Sequence, residues 1–195
     1  MKKDIFIMSK VPIKGNFKKR LSKQVGFIKS KRLICNNIEK IHKLFLRRKA
    51  YSMKYYVIPY KKFRSYSFSF YTKCILQSKG NLGDKMWYLI KSQHNPMIII
   101  GSDIPKINLK AISYSFEILR KYDVVIGPTY DGGFWLIGHS NKKKYLNPFK
   151  SIRWSTTNTL SDLIINLKKM KLTYQFTHKL RDIDNKADYC ENNKD

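Results

Sequence analysis

Short apolar runs closed by glycine or proline alternate with longer stretches whose apolar residues recur every three or four positions. The runs at Ile5–Met8, Met53–Ile58, Phe70–Leu76, Met97–Ile100, Val124–Ile126, Phe134–Ile137 and Leu172–Phe176 predict strands. Helical spacing covers Phe27–Leu46, with Leu33, Ile34, Ile38, Ile41, Leu44 and Phe45 on one face. It returns over Asn108–Lys121, with Ile112, Phe116 and Leu119 inward. A helix is predicted to begin at Trp87–Lys91. Another runs to Met170 behind an N-cap at Ser155 or Thr156. A short helix including Asp188 closes the pattern, and the tail after Tyr189 is expected to fray.

The centre of the chain is the stretch Pro96–Gly138. Two buried strands, Met97–Ile100 and Val124–Ile126, are joined by a helix, so they are expected to run parallel. Each ends in an acidic loop, Gly101-Ser102-Asp103 and Asp131-Gly132-Gly133. Open α/β sheets bind ligands at the carboxyl ends of their strands, so Asp103 and Asp131 are expected to share a cleft. The glycines beside Asp131 let a ligand approach the backbone, and the same spacing suits a hairpin turn. The two readings are compatible.

Other candidates lie outside this stretch. The loop after the first strand carries Lys10, Lys14, Lys18, Lys19 and Arg20 around Pro12 and Gly15. It reads either as a phosphate cradle or as a solvated basic loop. It contains neither a P-loop G-K-[ST] nor a G-x-G-x-x-G turn. Gly80 and Gly83 mark a tight loop. Trp154 either stacks on a ligand or staples the helix that follows. Asp182 and Asp184, two apart, share a face if extended and then suit a cation. Alternatively they cap the last helix.

Composition changes this picture little. Forty Lys+Arg against 13 Asp+Glu give a net charge of +27, which favours anionic partners without choosing among nucleotides, nucleic acid and membrane surfaces. The lysines are spread along the chain rather than gathered in a tail, as expected of an AT-rich coding bias. Cys35, Cys74 and Cys190 form no metal or disulfide pattern, which fits a cytoplasmic location. No run has the length of a transmembrane helix, though peripheral membrane contact stays open.

The segments K-V-P-I-K-G-N-F-K-K-R-L, Q-S-K-G-N-L-G-D-K-M, G-S-D-I-P, D-V-V-I-G-P-T-Y-D-G-G-F-W-L-I-G, F-K-S-I-R-W-S-T and R-D-I-D-N-K-A-D follow in that order. Together they resemble a bacterial family of glycosyltransferase-A-like proteins. Its members are labelled radical-SAM/selenodomain-associated transferase or arsenosugar-biosynthesis glycosyltransferase. The resemblance implies a nucleotide-diphospho-sugar transferase fold: one three-layer α/β domain over residues 1–190 with a mostly parallel central sheet, and a tail at 191–195.

It also implies site roles. Lys10, Gly15, Lys18 and Arg20 would hold the nucleotide. Asp103 and Asp184 would bind Mg²⁺ or Mn²⁺. Asp131, Gly132 and Gly133 would line the sugar or acceptor pocket. Apart from the resemblance, Asp103 and Asp131 are expected to serve catalysis, Asp131 by orienting or deprotonating the acceptor, and Trp154 and Ser155 are expected to contact the substrate. The partners would be a nucleotide-sugar or NTP donor and a small-molecule acceptor. Two departures stand out: Lys19 replaces a threonine, and Lys85 replaces an arginine whose fork binds anions bidentately. The expected function is metal-dependent glycosyl transfer. Guanylyltransferase-like nucleotidyl transfer is the first alternative, and a non-catalytic polyanion- or membrane-binding relative is the second.

Overall fold

A computed structural model describes residues 3–10, 18–58 and 73–192. Gly15, Phe70 and the aromatic stretch 60–69 lie outside them. Seven strands form one sheet in the order β3-β2-β1-β4-β6-β5-β7. They are β1 (Lys3–Lys10), β2 (Tyr51–Ile58), β3 (Lys73–Leu76), β4 (Met97–Gly101), β5 (Val124–Pro128), β6 (Phe134–His139) and β7 (Tyr174–Phe176). The helices are α1 (Lys19–Val25), α2 (Phe27–Phe45), α3 (Leu82–Ser92), α4 (Leu109–Lys121), α5 (Thr159–Lys169) and α6 (Lys186–Asn192).

Alternation along the central strands divides the core in two. Ile5, Ile7, Ile98, Ile100, Val125 and Leu136 meet α2 and α4 on one face. Phe6, Met97, Ile99, Val124, Ile126 and Ile137 meet α3 and α5 on the other. Strands buried on both faces need apolar residues at every position, which is why these runs are continuous. The result is the expected three-layer, mostly parallel α/β domain.

The parallel expectation for β4 and β5 holds with one change. The two strands are not neighbours, because β6 lies between them and pairs antiparallel with both. The hairpin turn at Asp131 sends β6 back into the space left beside β4. The carboxyl ends of β4 and β5 still share one edge of the sheet, one strand apart.

Several boundaries differ from expectation. Lys19–Val25 is a helix rather than a loop; its single buried side chain, Leu21, gives too little periodicity to read. The helix expected at Trp87 starts at Leu82, where Asn81 and Asp84 form a capping box. The N-cap expected at Ser155 or Thr156 falls on Asn158, with α5 beginning at Thr159. The intervening turn is held by Thr156, which donates to Arg153 O, and by Arg153, which grips Asp162 through two guanidinium contacts of 3.0 and 2.8 Å. Those hydrogen bonds hold the Asp162 carboxyl down to about 2. At the other end of the chain, α6 carries regular structure to Asn192, past the expected frayed boundary.

Candidate functional site

The carboxyl edge of the sheet collects the chemistry. Asp103 follows β4, and the β5–β6 hairpin carries Asp131. The extended chain after β7 delivers Asp182 and Asp184. That last segment is fastened at three points: Thr177 N donates to Ile126 O, Leu180 N to Pro128 O, and Ile183 N to Asp103 O. Ile183 is buried with Leu21 and Leu33, so α1, α2 and the late segment form a small cluster of their own.

Lys18 sits one residue before α1 with a left-handed backbone (φ 39°). Its ammonium lies between Asp103, at 2.5 Å, and Asp184. It also donates to Ile183 O at 3.3 Å. Burial works against the charged lysine, but Asp103 and then Asp184 outweigh it and raise its pKa above the ordinary lysine value. Burial likewise works against Asp103 as a carboxylate, yet Lys18 reverses this and holds its pKa below the usual range. Lys18 is therefore the resident counter-ion of two of the four carboxylates.

The other grouping is Asp131, Asp182 and Asp184, each of which offers one carboxylate oxygen within 4.8 Å of the other two. Asp131 Oδ1 is used locally: it accepts from Thr129 Oγ1 at 2.5 Å and from Gly133 N at 3.1 Å. Its Oδ2 has no hydrogen bond among the described residues. Burial, then repulsion from Asp131, Asp184 and Asp103, pushes the Asp182 carboxyl up to about 6. Neither Asp182 nor Asp184 caps the last helix, because Asn185 and Asp188 bond each other's backbone there, with Asp188 also accepting from Asp184 N.

Lys10 ends β1 and is exposed. Burial, then the Lys10 ammonium, lowers the Lys85 pKa. These two like charges face one region, and neither has an ion pair among the described residues. Arg20 is exposed on α1. Trp154 packs edge-on to Phe134 at 6.3 Å and beside Phe149 at 6.4 Å. A Cβ on Gly83 would meet its ring at 2.7 Å, so that glycine lets α3 approach. Trp154 is thus engaged in packing, and Ser155 is exposed with φ 61°. Gly132 and Gly133 form the hairpin tip. Sequence reasoning missed the pairing of Lys85 with Lys10, and it missed Asp131 joining Asp182 and Asp184. Neither grouping has a local spacing signal, because each arises from strand order.

Asp182 supplies a pH-dependent test. A carboxyl raised in the folded state helps folding below its unfolded pKa, near 4, and loses that help as pH rises through about 6. Asp182→Asn should therefore stabilise the metal-free protein at pH 7.5 and leave it unchanged at pH 4. The gain should be on the order of 1 kcal/mol once solvent screening of this partly exposed group is allowed for. Urea unfolding at the two pH values reads it; an equal change at both would refute the repulsion.

Comparison with known proteins follows the same line. Residues 60–156 match the family described as "Uncharacterized protein conserved in bacteria (DUF2064)". No curated protein matches the chain. Among solved structures, a "putative nucleotide-diphospho-sugar transferase" from Desulfovibrio desulfuricans G20 superposes with a TM-score of 0.84 at 22% identity, over 95% of this chain and 84% of that one. A CMP:2-keto-3-deoxy-manno-octonic acid synthetase complexed with CTP gives 0.61 at 11%, over 100% and 97%. A 4-diphosphocytidyl-2C-methyl-D-erythritol synthase from Anaerococcus prevotii DSM 20548 gives 0.61 at 9%, over 99% and 97%. At these identities the likeness establishes the fold. Among the described residues, no helix is long and apolar enough to cross a membrane.

Proposed function

We infer, for a chain whose residues 60–156 match the DUF2064 family and whose fold is that of nucleotide-diphospho-sugar transferases, a divalent-cation-dependent transferase acting on a nucleotide-activated donor. Within that class we assign it to the GT-A glycosyltransferases, and on its motif order to the radical-SAM/selenodomain-associated group. One observation carries the reading: Asp103, Asp131, Asp182, Asp184 and Lys18 gather at the carboxyl edge of the sheet, beside Lys10 and Lys85, which have no ion pair among the described residues.

An all-oxygen set suits Mg²⁺ or Mn²⁺, which bind one or two carboxylates together with substrate phosphates. Asp131, Asp182 and Asp184 fit that role better than the pair Asp103 and Asp184, because Asp103 is already neutralised by Lys18. When bound, the ion supplies positive charge against the diphosphate leaving group. Lys10 and Lys85 would take the donor phosphates as point charges. Gly132 and Gly133 keep the hairpin tip small beside the acceptor.

In the proposed reaction an acceptor hydroxyl oxygen attacks C1 of the donor sugar. The new C1–O bond forms as the bond from C1 to the diphosphate oxygen breaks. The nucleoside diphosphate leaves with the electron pair, and the acceptor proton passes to a carboxylate. Asp131, whose Oδ2 has no hydrogen bond among the described residues, is our candidate for that base. A second reading is nucleotidyl transfer, in which a phosphorylated acceptor attacks the α-phosphorus of an NTP and pyrophosphate leaves. The likeness to the CMP:2-keto-3-deoxy-manno-octonic acid synthetase complexed with CTP favours it.

The test is thermal stabilisation by NTPs and NDP-sugars, with and without Mg²⁺ or Mn²⁺, alongside turnover of any donor that binds. A ligand at a hundredfold excess over its Kd should add about 2.7 kcal/mol. Metal-dependent stabilisation by an NDP-sugar supports glycosyl transfer, and stabilisation by an NTP alone supports nucleotidyl transfer. Asp131→Asn should lose about a hundredfold in turnover. No nucleotide effect under any condition would overturn both readings and leave polyanion or membrane binding, through the +27 charge, to be pursued.

A further inference from the structure

A second group of cations lies on the far side of the acidic centre. Tyr130 is 59% exposed at the hairpin tip, immediately before Asp131. Lys179 Nζ stands 4.3 Å from the centre of its ring, and the Arg181 guanidinium carbon 5.0 Å. Two like charges are thus brought over one aromatic ring, where each gains little because the site is exposed. The backbone holds them there. Leu180 N donates to Pro128 O on one side, and His178 O accepts from Trp135 Nε1 at 2.9 Å on the other.

Neither cation is saturated. Lys179 has no carboxylate partner among the described residues. Arg181 has Asp188 at 3.9 Å and Glu191 at 3.8 Å, both beyond hydrogen-bond reach. An oxyanion between them would accept charge-assisted hydrogen bonds from the guanidinium fork and the ammonium.

The topology gives this patch a role. Along the carboxyl edge, Lys10 stands at β1, Asp103 at β4, Asp131 at the β6–β5 turn, and Lys179 and Arg181 beyond β7. Strands β1 and β7 are four spacings apart, about 19 Å at 4.8 Å per strand, and the segment after β7 turns back from Pro128, where Leu180 N bonds, to Asp103, where Ile183 N bonds. The acidic centre lies between two basic patches. The β1 side is the donor side in the proposed reaction, which leaves the β7 side for the acceptor. Arg181 adjoins Asp182 and Tyr130 adjoins Asp131, so an anion held there lies about one side chain from the carboxylates.

We propose that Tyr130, Lys179 and Arg181 form an acceptor subsite, and that the acceptor is a small hydroxyl-bearing anion. Its phosphate or carboxylate sits between Lys179 and Arg181 while its hydroxyl points to Asp131. This rests on the transferase reading for the word acceptor, though not for the anion site.

The test titrates inorganic phosphate, and acetate in parallel, by calorimetry. The starting protein is Lys10→Ala/Lys85→Ala, which lacks the β1-side cations. Adding Lys179→Ala/Arg181→Ala should weaken phosphate or acetate binding at least tenfold, and the stronger of the two probes identifies the anion class. Adding Lys29→Ala/Arg32→Ala instead, exposed positions on α2 carrying the same charge, should change it less than twofold. Equal loss in the two proteins, or binding indifferent to Lys179 and Arg181, overturns the subsite. The donor panel is run on Lys179→Ala/Arg181→Ala as well. Donor stabilisation with no phosphate effect would sink the subsite and spare the transferase; the reverse pattern would spare the anion site and sink the transferase.

Discussion

Lys18→Met is expected to destabilise the protein by about 2 kcal/mol and to make its stability fall as pH rises from 4 to 8. The ammonium is the counter-ion of Asp103 and Asp184, with its side chain 19% exposed and theirs 27% and 49%. Removing one partner of a buried pair costs about 3–5 kcal/mol, because the other charge is left stranded. Here Asp184 is half in water and rehydrates, so the cost is discounted to the lower figure. The sign of the pH effect follows from Asp103. In the wild type its pKa is depressed, so its contribution is present above pH 4 and lost in acid. Without Lys18, burial outweighs the backbone hydrogen bond that remains, its pKa rises, and the contribution reverses.

Adding Asp103→Asn to Lys18→Met should recover at least half of the loss, since the less exposed of the two stranded carboxylates is then neutral and Asp184 is half in water. The same change in wild type should destabilise. Urea unfolding of the four proteins gives the coupling, expected at about 1–3 kcal/mol. Additive losses would mean that Lys18 and Asp103 do not act as a pair. Divalent cation should stabilise Lys18→Met more than wild type, because the carboxylates would then lack their resident cation.

This ion pair also shows what the sequence could and could not disclose. The elements were legible wherever burial is two-sided or strongly periodic: Met97–Ile100 and Val124–Ile126 as continuous apolar runs, α2 and α4 by their stripes. The placement of Asp103 and Asp131 on one edge followed from the helix joining two parallel strands, and needed no side-chain information. The insertion of β6 between those strands was not legible. A D-G turn announces a hairpin but not which side of β5 the return strand takes. Helix α1 escaped because it buries only Leu21 and ends at Gly26 after two turns. Lys18 read as one of five basic residues in a loop. Its assignment to Asp103 and Asp184 depends on a contact across 166 residues of sequence, set by the small core of Leu21, Leu33 and Ile183. Lys179 and Arg181 likewise meet Tyr130 only because β7 lies beside β5.

Gly132→Ala is expected to cost about 3 kcal/mol and to remove transferase turnover, while its neighbour Gly133→Ala costs about 1. Gly132 has φ +87°, a region where an L side chain is strained by about 1–2 kcal/mol. A Cβ there would also stand 2.3 Å from the carbonyl oxygen of Thr157. That oxygen is backbone, in the turn locked by Arg153 and Asp162, and no rotamer change relieves it. The hairpin tip must therefore lift from the start of α5, giving up the bond from Leu160 N to Gly132 O at 2.9 Å. At Gly133 the first obstacle is the Thr129 hydroxyl at 3.0 Å, a side chain that can yield. The tip that lifts is the one that carries Asp131 into the group with Asp182 and Asp184. Asp131→Asn and Gly132→Ala should then separate two causes of lost turnover. The first leaves unfolding free energy within about 1 kcal/mol of wild type, and the second lowers both. Nearly equal stability of Gly132→Ala and wild type would show that the tip has room to move, and the rigid placement of Asp131 would fall with it.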